Sequence, residues 1–323
     1  MSDSNEFSSG SANQPGWERK LLEKLAMENL KEARRRRRWS VFFRTVAFFF
    51  LGIILFMVWS WRSGGDVMAD GEPHTALVQL EGVIGAGQDV SAEQVTLALQ
   101  SAFEDKGTKG VVLRINSPGG SPVQAGMIND EIRRLRGKYP SIPVYAVVED
   151  ICASGGYYIA VAADKIYVDK ASIVGSIGVR MDGFGFTGTM EKLGVERRLI
   201  TAGENKAFLD PFLPQDPKQV QFARNMLEEI HQQFIDVVRK GRGKRLKETP
   251  EMFSGLFWSG AKSIDMGLAD GFGTVDSVAR DVIKADDVRD YTQHENFAER
   301  FAKRLGADAA GSAANAMSKF DWR

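Results

Sequence analysis

Apolar residues along this chain fall into three kinds of run. One is long and uncharged. From Thr45 to Trp61 there are seventeen residues without Asp, Glu, Lys or Arg, and Val41 to Trp61 is long enough to cross a bilayer as a helix. The second kind is short and β-branched, bounded by Gly, Pro or charge, as in buried strands. Thr75–Ile84 (one strand or two short ones), Val111–Ile115, Pro143–Val148, Ile166–Val168, Ser172–Val179 and Val195–Ile200 read this way. The third kind repeats at helical spacing. It predicts helices over Ser91–Phe103, Val123–Leu135 (apolar side Met127, Ile132, Leu135), Tyr157–Ala163, Gln219–Val238, Trp258–Leu268 and Val275–Ile283. In the longest, Phe222, Met226, Ile230, Phe234 and Val237 form the expected core stripe. Strand, loop and helix alternate at short intervals, which predicts α/β architecture with crossover connections.

Charge decides what the uncharged run is. Arg34 to Arg38 are five consecutive arginines on its N-terminal side. A nucleic-acid patch is one reading of such a run, but its place beside an apolar span fits a juxtamembrane cluster better. Arg44 can snorkel, and Trp39, Trp59 and Trp61 suit the two interfaces. A cleaved signal peptide fits poorly, because the run starts some forty residues in and no A-x-A site occurs in Ser60–Met68. The positive-inside rule keeps the N-terminus cytoplasmic and exports the chain beyond the span. For a bacterial chain this means the inner membrane, single-pass, with the main domain periplasmic. The expected organisation is a cytoplasmic segment 1–40, a transmembrane helix 41–61, a polar linker 62–73, a main domain 74–285 and a C-terminal extension 286–323. Residues 1–16 and 309–316 have the Ser/Asn/Gly- and Ala/Gly/Ser-rich composition of loose segments. Trp17, Leu21, Leu25 and Leu30 give 17–38 the look of a basic, partly amphipathic helix.

Composition narrows the chemistry. The chain has 323 residues, 43% hydrophobic and 26% charged, with zero net charge, which suits a globular body and gives no overall pull toward nucleic acid. Cys152 stands alone, so no intrachain disulfide forms, and it reads as a packed core thiol. His74, His231 and His294 are scattered without zinc-site spacing, and neither metal nor cofactor is expected. Gly183–Gly188 fits G-x-G-x-x-G by letter, but weak flanks make it a glycine-aromatic loop rather than a dinucleotide site. Gly241–Lys247 reads as a solvated basic loop.

The stretch Asp150–Ala160 (DICASGGYYIA) organises the rest. A small-residue turn after a buried strand delivers Ser154 to the start of an apolar helix. One reading is a serine N-cap on a glycine-rich turn. The other is an exposed nucleophile with the amides of Gly155 and Gly156 ready for an oxyanion. A serine nucleophile needs a base. No histidine sits in a suitable loop, since His74 is at the linker, His231 in the long helix and His294 near the C-terminus. Lysine is the known substitute. Its ordinary pKa is about 10.4, so it must be desolvated to act near neutrality. Lys206, in GENKAFLDPF with apolar and aromatic residues after it, is the best candidate.

Four ordered motifs then carry a resemblance. They are Asn116–Gly120 (NSPGG), Ala153–Tyr158 (ASGGYY), Gly175–Val179 (GSIGV) and the G-x-x-K-A segment ending at Ala207. In order and spacing they are similar to the short-form signal peptide peptidase A family, membrane-anchored Ser-Lys peptidases related to the Clp protease and crotonase folds. The resemblance covers residues 75–280 and the N-terminal anchor. It implies a Clp protease/crotonase-like spiral of βαβ units. It implies that Ser154 is the nucleophile, Lys206 its base, Ser176 the residue that aims the lysine, and amides of Gly119 or Gly120 and of Gly155 the oxyanion hole. It further implies ring- or dome-shaped homo-oligomers, octamers for this half-length type, with serine and lysine from neighbouring subunits. The expected substrates are cleaved signal peptides and other apolar peptides at the membrane. Two alternatives come from other classes: a non-catalytic membrane scaffold, and an acyl-CoA enzyme on the same fold, which an exported location disfavours.

Overall fold

The computed structural model describes residues 17–63 and 71–293. The expectations for residues 1–16, for most of the 62–73 linker, for His294 and for the tail at 309–316 lie outside the described residues. The chain divides into two compact units, Met1–Ala69 and Asp70–Arg323.

The described residues of the first unit form one unbroken helix, α1 (Trp17–Ser63). It continues the expected span backwards through the basic segment, since no Pro or Gly interrupts 17–51. Among the described residues, Arg34–Phe56 is the one stretch long and apolar enough to cross a membrane. Its aromatic side chains are exposed and touch each other along the helix, with Trp39 stacked on Phe43 at 5.6 Å.

The described residues of the second unit form an eight-stranded sheet with order β6 (Phe257–Ser259), β5 (Ile173–Gly175), β3 (Val144–Ala153), β2 (Thr108–Ser117), β1 (His74–Glu81), β8 (Val288–Asp290), while β4 (Lys165–Val168) pairs with β3 and β7 (Gly271–Phe272) with β4. Its first half is a run of βαβ units. β1 (His74–Glu81), α2 (Ala92–Glu104), β2 (Thr108–Ser117), α3 (Pro122–Lys138) and β3 (Val144–Ala153) succeed one another. The strands pair in parallel, Ala76 beside Val111 and Val111 beside Val144. Strands buried on both faces read as continuous apolar runs, and these do. Ala76, Val78, Leu80, Val111, Leu113, Ile115, Val144, Ala146 and Val148 point into the large core under the helices. The alternate residues Leu77, Val112 and Val147 form a smaller core capped by residues 275–283. Caps set the helix starts: Ser91 accepts from Gln94 N, and Ser121 from Gln124 N with Pro122 at the first turn.

β3 is the pivot. Residues 145–147 pair with β4 (Lys165–Val168), whereas 151–153 pair with β5 (Ile173–Gly175). Between these halves the register against β2 jumps from Ile115–Val148 to Ser117–Cys152. The extra residues on β3 form a bulge that bends the strand out of one neighbour and into another. The bend delivers the strand's end to the turn before α4 (Gly155–Ala160).

The rest packs around this frame. α5 (Thr187–Leu193) lies in an exposed excursion, and α6 (Pro217–Arg242) is the longest helix of the unit. β6 (Phe257–Ser259) pairs antiparallel with β5. α7 (Gly260–Asp265), β7 (Gly271–Phe272), the one-turn α8 (Val275–Ser277) with its π-helical continuation to Ile283, and β8 (Val288–Asp290) complete it. β8 closes the sheet beside β1, so the start of the expected extension 286–323 is a strand of the sheet.

Several expectations are corrected. Val195–Ile200 is not a strand; it is exposed, with Ile200 98% accessible, because no sheet edge reaches it. Trp258–Leu268 is not one helix, since Trp258 lies in β6 and α7 starts after the Ser259 cap. On α3, Met127 is exposed, and the buried face runs through Ala125, Ile128, Ile132 and Leu135. On α6 the expected stripe holds at Phe234 and, half-buried, at Met226, Ile230 and Val237, but fails at Phe222. Ala223, Phe234, Ile235 and Val238 are buried while Phe222 is exposed. The basic loop 241–247 is not simply solvated, because Arg242 is 2% exposed.

Candidate active site

The loops after the carboxyl ends of β2 and β3 meet, as they do at ligand sites of parallel sheets. Ser154 holds φ 52°, ψ −119°, and its hydroxyl does not cap α4. A side chain at positive φ is strained, by about 1–3 kcal/mol, and the fold holds it there. The Ser154 N–H donates to the Gly175 carbonyl at 2.9 Å, while the Tyr158 N–H donates to the Ser154 carbonyl at 2.9 Å. Among the described residues the Ser154 hydroxyl has no hydrogen-bond partner. The N-cap alternative therefore fails for this serine.

Around it the NSPGG turn is packed without space for side chains. A Cβ on Gly119 (φ 100°) would sit 2.7 Å from the Ser154 Cβ and 2.7 Å from the Gly155 nitrogen. A Cβ on Gly120 (φ 150°) would collide with the Ile84 carbonyl. Ile84 clamps the turn from the other side: its N–H donates to the Gly119 carbonyl (2.9 Å), and its carbonyl accepts from Ser121 N (2.8 Å). The Gly119 N–H is spent on the Ser117 hydroxyl at 3.1 Å. The Gly120 and Gly155 N–H groups have no partner among the described residues. The Gly120 nitrogen lies 3.3 Å from where a Gly155 Cβ would be, so the two unused amides are neighbours.

Ser176 joins the site through Gly175. It too has positive φ (52°), and its N–H donates to the Leu256 carbonyl at 2.8 Å. Gly175 lies on the Trp258 ring, where a Cβ would approach Cε3 to 2.9 Å. His231, on α6, approaches the Ile177 carbonyl with its Nε2 at 3.2 Å and so ties the GSIGV loop to that helix. His74 is buried at the start of β1, its Nε2 2.9 Å from the Tyr291 hydroxyl.

Lys206 is not brought to Ser154 or Ser176 within the chain. It is exposed, in a turn closed by its own N–H on the Gly203 carbonyl at 3.1 Å, and its amine has no partner among the described residues. It belongs to the excursion 180–216, which is tied to itself by the Arg197–Asp210 ion pair (3.0 Å) and by Phe186 stacked on Phe212 (5.3 Å). The Gly183–Gly188 loop is part of this excursion, with Phe184 80% exposed.

Behind the Ser154 turn lies a buried ionic anchor that sequence patterns did not signal. The Arg242 guanidinium grips Asp270 with two hydrogen bonds (2.8 and 2.9 Å) and gives a third to the Gly267 carbonyl. Asp270 also accepts from Ile166 N at 2.7 Å. Tyr157, three residues after Ser154, donates its hydroxyl to the Leu268 carbonyl at 2.8 Å. Burial pushes the Asp270 carboxyl upward, but the Arg242 hydrogen bonds and charge, Ile166 N and Arg245 together hold it below the usual carboxylate range. Cys152 is fully buried, which pushes its thiol strongly up. The folded chain is expected to resist alkylation by iodoacetamide at pH 8 and to react once denatured. Labelling of the folded chain at the denatured rate would contradict this placement.

Comparison with known proteins matches residues 137–306 to peptidase family S49. That match takes in Ser154, Ser176 and Lys206. The chain is 33% identical over 175 residues to a putative signal peptide peptidase SppA of Enterococcus faecium, covering 54% of this chain and 50% of that protein. It is 30% identical over 205 residues to Protease 4 of Haemophilus influenzae, covering 62% and 32%. It is also 44% identical over 214 residues to a protein of Brucella melitensis named Na(+)/H(+) antiporter NhaA, covering 65% of this chain but only 29% of that protein. The chain thus spans half or less of the length of each of these three relatives. The family has the Clp/crotonase-like fold, whose successive βαβ units are those described above. A family match over more than half of the chain, on the segment that carries the strained serine, settles the affiliation: this chain belongs to peptidase family S49.

Proposed function

We propose that the chain is a membrane-tethered serine endopeptidase that uses a Ser-Lys dyad to degrade signal peptides left in the membrane. The observation that carries this is Ser154: strained, with an unbonded hydroxyl, pressed between two glycine turns. The Ser154 Oγ attacks the peptide carbonyl carbon and passes its proton to the Lys206 amine. The oxygen that becomes negative is held by the neighbouring Gly120 and Gly155 N–H groups, which have no competing partner among the described residues. Gly119 is the weaker choice, because Ser117 already takes its N–H. Lys206 then protonates the leaving amine. Water, deprotonated by the same lysine, releases the acyl group from Ser154. Ser176 orients the lysine.

In this proposal Lys206 acts on the serine of a neighbouring copy. Within one chain it is exposed and unbonded, and the excursion that carries it displays Met181, Phe184, Leu193, Val195 and Ile200 to solvent. Exposed apolar groups in such number mark an interface, and a second copy covering them would also desolvate the amine. A head-to-tail contact of this kind closes into a ring, an octamer being the expected size. The α1 span keeps the ring at the membrane, with the arginine cluster cytoplasmic.

Mixing tests the shared site. Ser154→Ala and Lys206→Ala are each expected to be inactive on a synthetic signal peptide. Rings co-assembled from equal amounts of the two should recover about a quarter of wild-type activity, the chance that an intact serine meets an intact neighbouring lysine. No recovery from verified mixed rings would place both residues in one chain.

A further inference from the structure

We propose that Ser117 is the positioning residue that selects Gly120, rather than Gly119, as the oxyanion donor. This inference rests on the peptidase reading above. Two successive glycines come after Pro118, and either amide could in principle point at the substrate. Ser117 is fully buried, and its hydroxyl takes the Gly119 N–H at 3.1 Å. The same glycine's carbonyl takes the Ile84 N–H. Both polar groups of Gly119 are therefore committed, and its peptide planes cannot rotate without breaking a buried bond. Gly120 is fixed by the Ile84 bridge on its far side and keeps its N–H unpaired beside Gly155. Ser117 is itself anchored in the sheet opposite Cys152, two residues before Ser154. The residue that ties the turn and the residue that attacks thus share one piece of the β2–β3 ladder, so the donor and the nucleophile are held in a common frame. A serine two residues ahead of the amide it holds is a common local turn; here it also determines which amide is left over.

Removing the hydroxyl frees the Gly119 N–H in a dry site and lets the Pro118–Gly119 peptide turn, which displaces the Gly120 amide. Loss of a single oxyanion donor costs about 10²–10³-fold in kcat, and a displaced donor costs less. Ser117→Ala is therefore expected to lower kcat on a synthetic signal peptide about 10–100-fold with KM nearly unchanged. A peptide aldehyde, which forms a tetrahedral adduct needing the same hole, should lose affinity by a similar factor. The matching peptide alcohol, which forms no adduct, should bind as to wild type. Ser117→Thr, which keeps the oxygen, should restore most of kcat. Wild-type kcat in Ser117→Ala would overturn the proposal, as would equal losses of aldehyde and alcohol binding. Ser154→Ala is run alongside; if it cleaves like wild type, the peptidase reading falls and this inference with it.

Discussion

Replacing Ser154 by alanine is expected to reduce signal-peptide cleavage by about 10⁴-fold or more, the range seen when a serine nucleophile is deleted. The chain should still fold and assemble, because the Ser154 hydroxyl bonds to nothing among the described residues. Ser154→Gly should be equally inactive, yet more stable than wild type by about 1 kcal/mol, since glycine adopts φ 52° without strain. Paired activity and melting measurements on the two variants separate a catalytic serine from a structural one. Loss of stability in Ser154→Gly would mean that the conformation is held by contacts of the side chain, and that the strain is not retained for chemistry.

Replacing Asp270 by asparagine is expected to cost about 3–5 kcal/mol, the usual penalty for breaking a buried pair from one side. It leaves Arg242, with its side chain 1% exposed, charged and short of its partner. Against a typical total of about 5–15 kcal/mol this is a large fraction. A double replacement, Arg242→Met with Asp270→Leu, should recover part of it, because the buried guanidinium goes with its partner and Arg245 is exposed enough to be solvated, while the Ile166 N–H loses its acceptor. The pair also gives a pH signature. The folded-state pKa of Asp270 lies below its ordinary value. Its contribution is therefore present above the unfolded pKa of about 3.9 and is lost as pH falls through the folded value. Wild type should lose stability steeply below about pH 4, and Asp270→Asn should lose less over that window. Urea melts at about pH 7 and about pH 3.5 check both effects. Because Arg242, which Asp270 fixes, and Tyr157 hold the neighbouring Gly267 and Leu268 carbonyls behind α4, partial loss of activity should accompany the destabilisation.

Much of this was legible in the sequence because burial on both faces leaves continuous apolar runs. β1, β2 and β3 appear in the letters for that reason, whereas the Ser121 cap that starts α3 two residues before the expected Val123 is seen only in the structure. The serine turn was visible because only small residues fit where two backbones touch, as the Gly119 contacts with Ser154 and Gly155 show. Other features depend on neighbours distant in sequence. Val195–Ile200 has the composition of a strand but no strand beside it to pair with. Phe222 repeats at helical spacing with Met226 and Ile230, yet at this end of α6 the buried position is Ala223 instead. Arg242 looked like surface charge because its partner Asp270 is far along the chain. The hydroxyl that occupies Gly119 could have been suspected from a serine two residues ahead of it, but the choice between the glycines needed the bond itself.

The central claim is that Ser154 is the attacking group, and covalent mapping tests it most directly. The purified full chain, shown to cleave a synthetic signal peptide, is treated with a fluorophosphonate, whose phosphorus takes the serine oxygen as fluoride leaves. It is then digested and read by mass spectrometry. The expected result is one adduct, on the peptide containing Ser154, formed as cleavage is lost and absent in Ser154→Ala. An adduct on another residue that tracks the loss of cleavage, or inactivation of Ser154→Ala and wild type alike, would contradict the assignment.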